Sequence, residues 1–462
     1  MLKGKKIVLG ITGGIAAYKS AELTREFIKR GADVKVVMTA NAIRFITPLT
    51  LQTLSGNPVL TDMFSLTKES EIGHITLSDY ADIIIIAPAT ANIIGKIACG
   101  LADDLLTTTV MAKRSPVLIC PAMNTNMYAN DIVKENISRL ISRNYFFMQA
   151  GYGELACGAQ GAGRFPPLDD IVEEVESILT NKDLTGERIL ITAGPTREPF
   201  DPVRYITNYS SGKMGYALAI MAKRRGADVM LISGPSSLMR PSGVKFLQVS
   251  SAEEMRDVVI DNVGNSTVII KAAAVADFRP AAFSDDKIKK GGETFDFRLE
   301  RNPDIISEIG RDKGDRILVG FAVETENLVE NARRKMIEKN MDFIVANDAT
   351  LPGAGFQTDT NIVKILDREG GLEELPIMDK IEVADRILDK IKGSRERLPK
   401  QLNSVQFKIG ESNGGGFKRK FERRTSHDRE RFQRSHCGGN GFSTASVQSL
   451  PERWGLFCRD SG

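Results

Sequence analysis

The sequence predicts an α/β protein built from two doubly wound, Rossmann-like domains, with a disordered basic tail behind them. Three observations carry this reading. Each half opens on a short apolar strand, a glycine-bearing turn and an amphipathic helix, the start of a parallel sheet covered by helices. The pentapeptide Arg30-Gly31-Ala32-Asp33-Val34 returns letter for letter as Arg225-Gly226-Ala227-Asp228-Val229. Both copies fall where the first helix gives way to the second strand, so they mark equivalent geometry rather than shared chemistry. After Gly393 the periodicity stops.

In order, Lys5–Ile11 reads as a buried strand, Thr12-Gly13-Gly14 as the turn, Ala16–Arg30 as a helix and Val34–Met38 as a second strand. Asp82–Ala87 and Pro116–Cys120 are apolar on both faces, as central parallel strands are. Helices are expected at Thr90–Cys99, Asp103–Lys113, Thr125–Arg143 and Asp169–Thr180. Gly151–Phe165 is rich in glycine and reads as a mobile loop. Asn181–Gly186 reads as a linker. The second half opens with the strand Glu187–Thr192. A long loop from Gly194 follows, then the helix Lys213–Arg225. Strands near Val268–Lys271, Ile317–Gly320, Phe343–Ala346 and Asn361–Leu366 precede a last helix, Lys380–Ile391. The expected domains are residues 1–182, 183–392 and a tail, 393–462.

The chain has 462 residues and a formal net charge of +3. The segment from Gly393 onward carries 14 Lys+Arg against 7 Asp+Glu, a net +7, so the rest is 3 − 7 = −4. A mildly acidic body argues against a nucleic-acid-binding face. Five sparse cysteines, Cys99, Cys120, Cys157, Cys437 and Cys458, fit a reducing cytoplasm better than a disulfide framework. The longest apolar stretch, Ile83–Gly95, is too short to span a bilayer. The opening MLKGKKIVLGITGG is a strand and turn rather than a signal peptide. His427, His436, Cys437 and Cys458 lack zinc-finger spacing.

Outside the tail there is one histidine, His74. Histidine suits proton transfer near neutral pH, although a surface helix-cap histidine would look the same. Asn124, in PAMNTNMY, follows a central strand. It therefore sits at the carboxyl edge of the sheet, where ligands bind in such folds. Thr90 and Asn92 follow another strand. Cys157 lies in the glycine-rich stretch, where a thiol can act as acid or nucleophile; Cys99 and Cys120 read as buried. In the second half, Lys271-Ala272-Ala273 leave a strand end, and Asp277 suits a metal or a hydroxyl. Lys287, Lys289 and Lys290 stand in a polar loop, and Lys335 and Lys339 share a helix face. Each lysine alone reads as solvated. As a set at a sheet edge they suggest a nucleoside triphosphate with Mg²⁺, without a P-loop motif. The loop from Gly194 to Gly215, GPTREPFDPVRYITNYSSGKMG, is too long and chemically varied for a mere connector. The incomplete glycine pattern after the first strand speaks against an NAD(P)-dependent oxidoreductase, the alternative reading. A scaffold protein would not need His74, Asn124 and Cys157 together.

Together these residues resemble the bacterial bifunctional phosphopantothenoylcysteine decarboxylase/phosphopantothenate–cysteine ligase family of coenzyme A synthesis, over about Lys3 to Ile391. In the first half the resemblance rests on His74, PAMNTNMY and Ala156-Cys157-Gly158. In the second it rests on the Gly194–Gly215 loop, AAVADFRP at Ala273–Pro280, KIKK at Lys287–Lys290 and NPDI at Asn302–Ile305. The tail matches nothing in the family. The resemblance implies an FMN-dependent decarboxylase first. There the cysteine part of the substrate is oxidised to a thioaldehyde, carbon dioxide leaves and the electrons return. His74 would be the base, Asn124 would bind the substrate carboxylate and Cys157 would supply a proton. Gly13, Gly14, Thr39, Thr90 and Asn92 would surround FMN. It implies a CTP-dependent ligase second, in which 4′-phosphopantothenate becomes an acyl-cytidylate that cysteine then attacks. Lys287, Lys335 and Lys339 would contact the triphosphate. Lys271, Ala272, Ala273, Asp277, Pro303, Asp304, Ile305, Ile306 and Phe321 would complete the CTP site. Asp277 would face the metal and Asn208 would hold phosphopantothenate or its acyl-cytidylate. Homo-oligomers through both domains, with flavin sites between subunits, are also implied, without nucleic-acid or membrane partners.

Overall fold

A computed structural model describes residues 2–63, 73–155, 158, 160–289, 298–323, 327–347, 355 and 357–411, with side chains to residue 395. The chain divides into two compact units, Met1–Leu398 and Pro399–Gly462. The first contains two parallel-rich sheets with helices on their faces.

The first sheet holds β1 (Lys6–Ile11), β2 (Asp33–Met38), β3 (Ile83–Ala89), β4 (Val117–Pro121) and β5 (Phe146–Phe147), in the order β2-β1-β3-β4-β5, all parallel. Its helices are α1 (Lys19–Lys29), α2 (Pro48–Ser55), α3 (Gly73–Tyr80), α4 (Ala91–Cys99), α5 (Leu105–Met111), α6 (Thr125–Ala129), α7 (Asp131–Ile141) and α8 (Leu168–Leu179). Side chains alternate across each strand, so Ile7, Leu9 and Ile11 pack into one core and Val8 into the core on the other face. The helix expected over Thr125–Arg143 is two helices. Asn130 breaks it by accepting a hydrogen bond from the Ile132 N–H and capping α7. Cys120 is buried as expected, but Cys99 is exposed. It is the last residue of α4, beyond the buried stripe of Ile93, Ile94 and Ile97. The stretch expected as a mobile loop instead contains an antiparallel hairpin, β6 (Gly151–Glu154) and β7 (Gln160–Arg164). Its glycines serve close approach: Gly163 has φ +132°, and a β-carbon there would lie 2.3 Å from the Met123 carbonyl oxygen.

The second sheet is larger. Its strands are β8 (Arg188–Ala193), β11 (Asp228–Ser233), β12 (Lys245–Gln248), β13 (Val268–Lys271), β16 (Ile317–Val323), β17 (Phe343–Asn347), β18 (Thr360–Asp367) and β19 (Leu372–Asp379). The order is β12-β11-β8-β13-β16-β17-β18-β19, with the last two strands antiparallel. Two small ribbons, β9 (Arg197–Pro199) with β10 (Tyr205–Thr207) and β14 (Phe278–Pro280) with β15 (Leu299–Arg301), stand outside it. The helices are α9 (Lys213–Arg224), α10 (Ala252–Val263), α11 (Ile305–Arg311), α12 (Leu328–Glu338) and α13 (Lys380–Glu411). The last helix runs 20 residues past its expected end at Ile391. Gly393 in its interior costs a helix only about 1 kcal/mol, and Pro399 further along costs about 3 kcal/mol. The Arg395 guanidinium holds the extension by donating to the Thr267 carbonyl at 2.7 Å. The remainder of the tail lies outside the described residues.

The repeated pentapeptide has two fates. Arg30 pairs with Glu26 in its own helix at 2.6 Å. Arg225, 4% exposed, forks onto both oxygens of Asp183 at 2.9 Å and reaches Asp385 and Asp389 of α13. Beside it, Arg224 pairs with Glu173 and Glu176 of α8. The two arginines thus tie the first half, the linker and the last helix together. Against the opposing effect of burial, Arg225 and then Lys392 hold the Asp183 carboxyl below its usual range. Arg225→Ala leaves those carboxylates facing one another. Breaking a buried pair this way costs about 3 kcal/mol. A lowered urea midpoint checks this; an unchanged midpoint would show that the clamp carries no stability.

Candidate active sites

In the first half the carboxyl ends of β1 and β3 part at the point where the chain switches direction across the sheet, the usual place for a ligand crevice. Thr12 joins the two ends. Its hydroxyl donates to the Pro88 carbonyl at 2.7 Å and accepts from the Thr90 N–H at 3.1 Å. Thr90 in turn caps α4. Gly13 lies so close to the next loop that a β-carbon would sit 2.4 Å from the Asn41 β-carbon. Thr39 donates its N–H to the Ile11 carbonyl at 3.1 Å. Asn124 turns the chain after β4, its side-chain oxygen accepting from the Asn126 N–H at 2.9 Å. The Met123 N–H donates to the Gly163 carbonyl at 2.9 Å, which draws the hairpin against that turn.

These features enclose one cavity of about 1040 Å³. Gly13, Gly14, Thr39, Thr90, Asn92 and Asn124 all line it. Its wall also includes residues that the sequence reading did not single out. Glu154, Leu155, Arg164 and Phe165 come from the hairpin and its end, Lys96 from α4, and Asp103 and Asp104 from the α4–α5 turn. Lys96 pairs with Asp103 at 2.8 Å and Asp104 at 3.3 Å; Asp103 chiefly raises the lysine pKa. The signal for that corner was the Asp104–Thr107 capping box that starts α5. His74 is elsewhere. It is the second residue of α3, partly exposed, and does not line the cavity in a single chain. Cys157 lies outside the described residues.

In the second half the Gly194–Gly215 loop is laced to the segment after β13. The Ala272 and Ala274 N–H groups donate to the Thr192 and Gly194 carbonyls, and the Ala276 N–H to the Thr196 hydroxyl. The Asn208 amide donates to the Val275 carbonyl at 3.1 Å, and the Asn302 amide to the Ala276 carbonyl at 2.8 Å. Asn208, Lys271–Asp277 and Asn302–Asp304 are therefore joined. Lys339 pairs with Asp304 at 2.8 Å. Lys271 is pushed down to about 8 by removal from water and by Lys339, despite the opposite pull of Asp304 and Asp277. Burial works the other way on Asp304, yet Lys339 and then Ser307, through its side chain and its N–H, hold it below its usual value. The Ile305 and Ile306 side chains are buried in the core below this turn, whereas Phe321 on β16 is partly exposed. Asp277 is exposed, and among the described residues no cluster of three His, Cys, Asp or Glu side chains is placed to hold a metal. Lys287 is exposed in the segment after β14; Lys290 lies outside the described residues.

Known proteins match both halves. Residues 1–180 match the Flavoprotein family, and residues 184–394 match the DNA/pantothenate metabolism flavoprotein C-terminal domain. The coenzyme A biosynthesis bifunctional protein CoaBC of Bacillus subtilis is 49% identical over 395 residues, 85% of this chain and 97% of that protein. The chain belongs to this family. The Vibrio cholerae member is 46% identical over 84% of this chain and 98% of its own, and the Escherichia coli K12 member 45% over 84% and 97%. A solved C-terminal domain of a CoaBC protein is 45% identical with a TM-score of 0.41, over 47% of this chain and 99% of that one. As a member of the family, the chain is a bifunctional enzyme of coenzyme A synthesis, a decarboxylase and a ligase, and its first half is a flavoprotein.

Proposed function

We propose that residues 1–182 decarboxylate 4′-phosphopantothenoylcysteine with FMN and that residues 183–392 make it from 4′-phosphopantothenate, cysteine and CTP through an acyl-cytidylate. The carrying observation is the cavity that gathers Gly13, Gly14, Thr39, Thr90, Asn92 and Asn124 at one sheet edge. Its volume suits a cofactor together with a substrate. The residues fit a flavin mononucleotide: a glycine turn in which Gly13 has no room for a side chain, next to the hydroxyls of Thr39 and Thr90. FMN, when bound, would accept and return an electron pair. The chain's own residues would orient the substrate and move its protons. Asn124 would hold the carboxylate that leaves as carbon dioxide, His74 would take the thiol proton and Cys157 would return one. His74 does not line the cavity of one chain, which supports a homo-oligomer in which a second copy completes the site. The exposed Ile15, Tyr18 and Met127 on the cavity wall support the same reading. The strand order β2-β1-β3-β4-β5 supports the doubly wound assignment of this half.

For the ligase, Lys287, Lys271, Lys335 and Lys339 would neutralise the triphosphate, the main demand of nucleotidyl transfer. Mg²⁺ would arrive largely on the phosphates, since it keeps few protein ligands, with Asp277 as one of them. Ala272, Ala273, Pro303, Asp304, Ile305, Ile306 and Phe321 would frame the nucleotide, the two isoleucines through backbone groups. Asn208 would hold the acyl group. A reducing cytoplasm suits the free thiols of Cys99 and Cys120, and among the described residues no helix is long and apolar enough to cross a membrane. Lys271 gives a pH test. Its ammonium is charged below about 8 and neutral above it. Apparent KM for CTP should therefore rise about tenfold from pH 7 to 9. Lys271→Met should show a high KM that is flat with pH. A parallel pH slope in both proteins would remove Lys271 from the site.

A further inference from the structure

The segment that carries Lys287 is docked onto the Gly194–Gly215 loop at a single buried carboxylate, Asp201, which is 1% exposed. Asp201 accepts from the Val203 N–H at 2.8 Å and the Arg204 N–H at 2.7 Å, a local turn. Its second oxygen takes the Arg204 guanidinium at 2.9 and 2.6 Å and, 87 residues away, the Ile288 N–H at 3.2 Å. Arg204 closes the ring by donating to the Ile288 carbonyl at 2.9 Å. Both polar groups of Ile288 are thus engaged, and Ile288 stands between Lys287 and Lys289. A further bond, Ser284 N–H to the Phe200 carbonyl at 3.0 Å, holds the same segment four residues earlier. Arg204, chiefly, with the three N–H donors, holds the Asp201 carboxyl down to about 2, so it remains an acceptor throughout the physiological range.

We propose that Asp201 is a positioning residue for the ligase, the anchor that docks residues 281–289 and so sets Lys287 over the sheet edge. The inference rests on the role given to Lys287 above. A buried carboxylate serving only its own turn would need no donor from the distant segment. Here the segment's peptide meets both members of the Asp201–Arg204 pair at once. Charge-assisted hydrogen bonds are the strong ones, and neutralising this acceptor weakens all those it accepts, the one from the distant Ile288 N–H among them, while leaving the shape nearly unchanged.

The test is Asp201→Asn in the full chain. Tryptic cleavage after Lys287 and Lys289 should quicken, and kcat/KM for CTP should fall about tenfold, the worth of one hydrogen bond to a charged group. KM for cysteine and the decarboxylase rate of the same preparation should hold. Should Asp201→Asn fail to fold, Ile288→Pro decides: it deletes the distant N–H and spares the Asp201–Arg204 pair. Because a lysine–proline bond resists trypsin, the expected changes are faster cleavage after Lys289 and the same fall in kcat/KM for CTP. Cleavage and CTP kinetics unchanged from the parent in the folded variant would overturn the proposal. Equal loss of the decarboxylase would overturn it too, because it would reveal a general structural role. A parent chain without CTP turnover would instead overturn the Lys287 reading, and the cleavage rates alone would then judge the anchor.

Discussion

Lys287→Gln should lower CTP-dependent ligation about a thousandfold and leave decarboxylation of supplied phosphopantothenoylcysteine intact. The expected size is that of removing one preorganised donor from a site of developing charge. The side chain is exposed and makes no described hydrogen bond of its own, while the backbone of its neighbour Ile288 is held from both sides. The substitution therefore removes the ammonium without disturbing what places it. Pyrophosphate release from CTP and 4′-phosphopantothenate, measured without cysteine, reads the first chemical step directly. Undiminished release would take Lys287 out of that step.

His74→Asn should do the reverse. Decarboxylation should fall between about a hundredfold and ten-thousandfold, the usual worth of a general base, while ligation holds. Phosphopantothenoylcysteine should then accumulate when all ligase substrates are supplied. His74 is partly exposed on α3 and lies outside the cavity lining of a single chain. If a second copy brings it to the flavin, mixing His74→Asn with a cavity variant such as Asn124→Asp should restore part of the activity through mixed assemblies. Loss of ligation together with decarboxylation would argue against two independent sites.

Much of this was legible in the sequence, for physical reasons. Central parallel strands are apolar on both faces, so the runs Asp82–Ala87 and Pro116–Cys120 stood out, and the strands Ile83–Ala89 and Val117–Pro121 fall on them. Polar turns at strand ends put Thr90 and Asn124 at one sheet edge, and the family resemblance added Gly13; all three line the cavity. The hairpin was hidden. Gly151–Arg164 has no alternating apolar pattern, because its strands are held by closeness to the Asn124 turn rather than by a buried face. Distant partners were hidden too. Nothing local in Arg225 distinguishes it from Arg30, yet one spans to α13 and the other stays in its own turn. Ile305 and Ile306 looked like ligand contacts by motif, whereas their side chains complete a core. Gly393 looked like a helix end, but α13 continues through it. A truncation that spares both activities should therefore begin after Glu411 rather than at Gly393, so that Arg395 keeps its bond to Thr267.

The most direct test is mass spectrometry of the products formed by the purified chain from 4′-phosphopantothenate, cysteine, CTP and Mg²⁺, with FMN supplied. The expected products are 4′-phosphopantetheine, carbon dioxide, CMP and pyrophosphate. Phosphopantothenoylcysteine alone would contradict the decarboxylase half, and absence of both compounds would contradict the assignment of two consecutive steps to this chain.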